Sequence, residues 1–219
     1  MPRPADPELR ERLLAAATAE FAAAGYAGAT LDAIAARASV TKGGLYFHFA
    51  GKEELFFAAI DHWRERRRRL LRVPVAGAEP AVVTLRAFLA GYLAFHFAEP
   101  DAVRLQRVLA TELRSGFTSL LREDDRQERR WLRAQLRELL VLGVQDGSLS
   151  CADPAQAAFL LAAAVIGVLE QWQSAVADVE AHCHEERLAA ALVAPFVVGA
   201  AADRDGRHGA SVFRDLPEA

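Results

Sequence analysis

Lysine is almost missing from this chain. Of 219 residues only Lys42 and Lys52 are lysines, so nearly all the basic charge is arginine. Cysteine is as sparse, with Cys151 and Cys183 alone. Two thiols make no disulfide framework or finger-type metal site. They suit a reducing cytoplasm, where a buried thiol behaves as a small hydrophobe. Runs of β-branched residues are few, which argues against a sheet-rich fold; the Ala-, Leu-, Arg- and Glu-rich remainder favours helix. The N-terminus is charged from Arg3 to Arg12 and has no apolar stretch, so no secretory signal is expected. The uncharged runs 154–169 and 188–202 fall short of the ~20 residues of a membrane span and contain Gly or Pro. They are expected to be buried or interface helices, with no membrane partner. Enzyme signatures are missing too: there is no G-x-S-x-G, Walker-type loop, H-E-x-x-H or dinucleotide fingerprint. The chain is therefore expected not to be an enzyme and to need no cofactor or metal.

What is present is hydrophobic and unevenly charged. Hydrophobic residues make up 53% of the chain, enough for one large or two small cores. Residues 1–72 hold 12 basic and 9 acidic side chains, whereas 73–219 hold 14 and 20. Such asymmetry points to an anionic partner for the first segment.

Helical spacing recurs throughout. Leu9, Leu13, Ala17, Phe21 and Ala24 predict a helix over about 7–24, with Gly25 ending it in a left-handed turn. Thr30 is a good N-cap for a second helix bearing Leu31, Ile34, Ala35 and Ala38. After a break at Ser39-Val40, Thr41 caps a short third helix anchored by Leu45 and Phe49. Gly51 precedes a fourth, with Leu55, Phe56, Ala59, Ile60 and Trp63 on its core face. Two short helices joined by a tight turn over about 30–50 form a helix-turn-helix pattern. Residues 72–80 read as a linker. Beyond it, helices are expected over about 81–98, 101–113, 117–145, 154–176 and 179–200, the last kinked or shortened by Pro195. From 203 the chain is polar and aperiodic, and 203–219 reads as a flexible tail.

The most informative stretch is Thr41-Lys42-Gly43-Gly44-Leu45-Tyr46-Phe47-His48-Phe49. With Thr30, Ile34-Ala35, Ala38-Ser39-Val40 and Lys52-Glu53-x-Leu55, it resembles the N-terminal signature of the TetR family of bacterial transcriptional regulators. The match covers about 9–63 and is dense over 30–55. The reading helix is also similar to that of actinomycete γ-butyrolactone receptors. Ser39 departs from the glycine the family most often has in the turn. The resemblance implies an all-α fold. An N-terminal three-helix DNA-binding domain over 1–71 would be followed by a helical ligand-binding and dimerisation domain over 80–202. It also implies a homodimer, a double-stranded operator with two half-sites and a small-molecule effector.

Residue chemistry gives each position a role. Thr41 and Lys42 lie at a helix N-terminus, which favours phosphate. Gly43 and Gly44 allow close approach to bases. Tyr46 and Phe47 face the groove, Phe47 suited to a thymine methyl and Tyr46 to a phosphate or base. His48, Lys52 and Thr30 match family positions that contact the DNA backbone.

Other motifs are weaker. The run Arg66–Arg69 reads as a solvated or interdomain face favoured at a helix C-terminus. His182-Cys183-His184 lacks a second ligand pair and reads as loop or surface. Asp124, Asp125 and Glu128 read as a solvated helix face pairing with Arg129 and Arg130. Phe88, Tyr92, Phe95, His96, Arg104, Glu112, Trp131, Phe159 and Trp172 are candidates for an effector pocket. The nearly apolar segments 154–176 and 185–200 are candidates for a two-fold four-helix interface. The expected function is that of a repressor released by a ligand. An activator, a ligand-independent regulator, and a helical enzyme or carrier with an interaction domain are the alternatives.

Overall fold

The computed structural model describes residues 7–71, 79–111, 120–174 and 184–198, without side chains for 120–126. Glu112, His182, Cys183, most of the 72–80 linker and the 203–219 tail lie outside these residues, as do the side chains of Asp124 and Asp125. The described residues are helical: α1 (Pro7–Gly28), α2 (Leu31–Arg37), α3 (Lys42–His48), α4 (Lys52–Leu70), α5 (Ala81–Ala98), α6 (Pro100–Thr111), α7 (Leu120–Gln145), α8 (Pro154–Ser174) and α9 (Glu185–Val193). A single 3-10 turn, Ala194–Phe196, follows α9 at Pro195. The helix expected to reach 200 is shortened there, as a ring without an N–H requires. Among the described residues no strand forms beyond an isolated bridge between Leu149 and Val197.

The chain divides into two compact units, Met1–Arg72 with Ala94–Glu128 and Val73–Leu93 with Arg129–Ala219. In the first, α1, α4 and α6 pack on one another. Leu13, Leu14, Ala17 and Phe21 of α1 meet Leu55, Phe56 and Ile60 of α4, joined by Leu105 and Leu109 of α6. Gly25 adopts φ 71° and ψ 174°, an extended positive-φ conformation open essentially to glycine, and interrupts α1. Phe21, Tyr26 and Phe56 form an aromatic triangle with centroids 4.9–6.0 Å apart.

In the second unit, Asp146 caps the start of α5 by accepting from the Ala81 N–H at 2.7 Å, and it also accepts from the Ser148 N–H at 2.8 Å. A side-chain hydrogen bond with Ser148, followed by these two backbone bonds, holds its carboxyl below the ordinary range. Asp153 caps α8 by accepting from the Ala155 and Gln156 N–H groups. Gly143 is required by close packing, since a Cβ there would stand 2.3 Å from Leu149 Cδ1. α8 buries Ala157, Ala158, Leu161, Ala162, Val165 and Leu169. It leaves Phe159 and Leu160 more than half exposed. By length and composition α5 and α8 are both apolar enough to cross a bilayer. The uncharged run of 154–169 is shorter than the helix that contains it. α5 buries Leu85, Phe88, Leu89, Tyr92 and Leu93, as a core helix does.

Candidate nucleic-acid interface

The site is built from the caps inward. Thr30 precedes α2 in an extended conformation, and its Oγ1 accepts from the Ala33 N–H at 3.1 Å. α2 ends in a Schellman motif: the Val40 N–H donates to the Ala35 carbonyl and the Ser39 N–H to the Ala36 carbonyl. Ser39 therefore takes φ 57°, the left-handed position where glycine is cheapest. The turn is tight as expected, and serine bears its strain. Thr41 repeats the cap for α3, its Oγ1 accepting from the Gly44 N–H at 3.1 Å. α4 has no side-chain cap at Gly51; instead the Ala50 N–H donates to Glu54 Oε2 at 2.6 Å.

The two anchors hold α3 down. Leu45 is fully buried and Phe49 nearly so, both in the core formed by α1 and α4. The opposite face is open: Tyr46 is 48% exposed and Phe47 is 61% exposed. His48 is half-buried, edge-to-face with Phe47 at 5.3 Å. Gly43 and Gly44 are not forced by the fold. A Cβ at Gly43 meets nothing closer than Thr41 Oγ1 at 4.0 Å, and one at Gly44 makes ordinary contacts. Glycine destabilises a helix by up to about 1 kcal/mol against alanine, so packing gives no reason for this pair.

Both lysines are engaged. Lys42 Nζ lies 2.8 Å from Asp32, and this hydrogen bond, with the Asp32 charge, raises its pKa. Lys52 Nζ donates to the Ala27 carbonyl at 3.2 Å and stands 4.8 Å over the Tyr26 ring. The Tyr26 phenol is raised by burial and by Glu53. Thr30, Thr41, Lys42, Gly43, Tyr46 and Phe47 are all exposed, and Gly44, His48 and Lys52 are partly so.

The arginine run departs from expectation at one position. Arg67 is fully buried and Arg64 is 4% exposed. Arg67 and Arg68 donate to the Glu128 carboxylate, with Arg64 Nε 3.7 Å from it. The Arg67 guanidinium also stacks over Trp63 at 5.0 Å. Arg66 pairs with Glu99 at 2.5 Å. Arg66 and Arg69 are exposed and Arg68 partly so, so within the run the solvated reading fails for Arg67 alone; it fails also for Glu128. The physical reason is spacing: Ile60, Trp63, Arg64 and Arg67 continue the buried stripe of α4 at helical intervals. That signal was available in the sequence, but the counter-charge lies 61 positions away.

The pocket candidates are spread over both units. Phe95 and His96 pack against Trp63 in the first unit, at 5.2 and 5.0 Å. Arg104, in the same unit, is exposed and pairs with Asp101. In the second unit Phe88, Tyr92 and Trp131 cluster. There Phe159 is exposed beside Arg133, and Trp172 is half-buried. An open groove of about 780 Å³ lies along α1 and α4, lined by Arg10, Glu53, Glu54, Phe57, Asp61 and His62. Burial lowers the His62 pKa there. Its acidic walls do not suit an anion. Among the described residues no group of three His, Cys, Asp or Glu is placed to hold a metal.

Two capped helices around a Schellman turn, the second exposing aromatics, define a helix-turn-helix module. Residues 13–59 match the family of bacterial regulatory proteins, tetR family. The HTH-type transcriptional repressor SCO4008 of Streptomyces coelicolor is 32% identical over 124 residues, 56% of this chain and 60% of that protein. The chain thus spans less than two thirds of that relative, and 25–43% of three other curated regulators it matches. Solved structures cover more. A TetR transcriptional regulator from Chloroflexus aurantiacus is 30% identical, with a TM-score of 0.67 over 85% of this chain and 92% of that one. SmeT in complex with triclosan is 25% identical, with a TM-score of 0.71 over 96% of this chain and 100% of that one. SmeT is the repressor of the Stenotrophomonas maltophilia multidrug efflux pump SmeDEF. The chain belongs to the TetR family.

Proposed function

We propose that this protein is a cytoplasmic transcriptional repressor that binds operator DNA as a homodimer and is released by a small molecule. One observation carries the reading: α3 turns Tyr46 and Phe47 outward while Leu45 and Phe49 fix its other side. Gly43 and Gly44 let the start of α3 approach base edges without a steric collar. Thr41 and the first N–H groups of α3 meet phosphate, and Lys42, Lys52, His48 and Thr30 position the backbone. Lys42 exchanges Asp32 for phosphate on binding.

The division of labour is 1–71 for DNA and 80–202 for effector and dimer. The exposed Phe159 and Leu160 on α8 support pairing of α8 and α9 with their copies about a two-fold axis. Two reading helices then sit in successive major grooves, ~34–36 Å apart. An effector that prefers another spacing lowers operator affinity by its differential binding. The SmeT complex with triclosan supports a largely apolar effector. The likeness of the reading helix to γ-butyrolactone receptors concerns DNA recognition and assigns no effector.

The test is selection of bound duplexes from a random pool, followed by titration of the selected site. Tyr46→Ala and Lys42→Ala are expected to weaken binding at least tenfold with unchanged melting. Unchanged affinity in both variants would refute the assignment of α3.

A further inference from the structure

α3 carries few groups able to hydrogen-bond a base. Bidentate reading of guanine uses Arg or Lys, and of adenine Asn or Gln. The sequence of α3, Lys-Gly-Gly-Leu-Tyr-Phe-His, contains no Arg, Asn or Gln. Its one lysine pairs with Asp32 in the free protein and is assigned above to phosphate. Thr41 Oγ1 is committed to the Gly44 N–H. Leu45 is buried, and the glycines present no side chain. Of the two exposed aromatics, Phe47 stands further out, at 61% against 48% for Tyr46.

The Phe47 ring has no donor or acceptor. Its edge-to-face contact with His48 restricts where it points. Burying such a ring against phosphate gains nothing, and phosphate contacts carry no base information. In the major groove the apolar feature that differs among base pairs is the C5 methyl of thymine. We infer that Phe47 is a specificity-determining residue that selects thymine through this methyl, at one position in each half-site. The inference rests on the DNA-binding reading above and names what that interface recognises.

The experiment uses the full-length protein and a duplex selected by it. The same duplex is remade with deoxyuridine for thymidine, which keeps every hydrogen-bonding atom and removes only the methyl. Wild-type protein is expected to bind the uridine duplex roughly fourfold more weakly per methyl read, the worth of one buried methylene. For a site read twice the loss is roughly 15-fold. Phe47→Ala is expected to bind both duplexes equally, and more weakly than wild type binds the thymidine duplex. Because the site is exposed, its melting curve stays that of wild type. Equal wild-type affinity for the two duplexes would overturn this inference and leave the DNA-binding reading intact. Full discrimination retained by Phe47→Ala would also overturn it, since another residue then reads the methyl. A wild-type protein with no salt-sensitive duplex binding would overturn both.

Discussion

The outer face of α3 and the C-terminal half of α4 invert what residue type alone suggests. On α3 a phenylalanine stands in solvent; on α4 an arginine is fully buried. Each is placed by the register of its helix. Leu45 and Phe49 leave Phe47 no way inward, and Ile60 and Trp63 leave Arg67 no way out. A buried charge survives because Glu128 answers it. The exposed ring has no answering group within the described first unit beyond its neighbour His48. The fold accounts for the arginine; for the phenylalanine it leaves a ring open to the DNA partner proposed above.

The largest effect should come from removing the buried counter-charge. Glu128→Ala takes away a carboxylate approached by three guanidiniums, and a loss of about 3 kcal/mol is expected in urea unfolding. A change below about 1 kcal/mol would mean that the cluster is no more than surface pairing. The mirror experiment is Gly43→Ala with Gly44→Ala. Stability should rise, by up to about 1 kcal/mol per site, because neither Cβ meets an obstacle. Operator affinity should fall at least tenfold. A double variant that gains stability and keeps its affinity would show that close approach at these glycines is not used.

Ser39→Gly sharpens the comparison within the turn. It relieves a left-handed serine at φ 57° at the cost of greater freedom in the unfolded chain. A net gain of about 0.5–1 kcal/mol in chemical unfolding is expected. The smallest effect concerns Asp146 in the second unit. Its folded-state carboxyl is held below the ordinary range by Ser148 and the Ala81 N–H. It therefore contributes stability above the ordinary carboxylate pKa, and this is lost as pH falls through the folded value. Melting of Asp146→Asn should fall less between pH 5 and pH 3 than that of wild type.

The reading helix was legible because its signals are local. Thr30 and Thr41 cap within three residues, Leu45 and Phe49 lie four apart, and the resemblance falls on the same positions. Ser39 already stood out as a serine where glycine is usual. The α4 cluster was only half legible. Its stripe could be counted along the helix, but Glu128 is brought there by the fold. Likewise the joining of Leu105 and Leu109 to the core of the N-terminal helices depends on long-range packing. The effector candidates were least legible, since aromatic residues that fill a core and those that wall a pocket obey the same spacing. The structure assigns Phe95 and His96 to one unit and Phe88, Tyr92 and Trp131 to the other.

The most direct measurement compares affinity for a selected operator with affinity for a scrambled duplex, in wild type and in the Tyr46→Ala, Phe47→Ala double variant. The ratio is expected to collapse toward one in the variant, while salt-sensitive binding to both duplexes and the melting curve persist. A ratio unchanged from wild type would contradict the claim that the outward aromatics of α3 read the DNA.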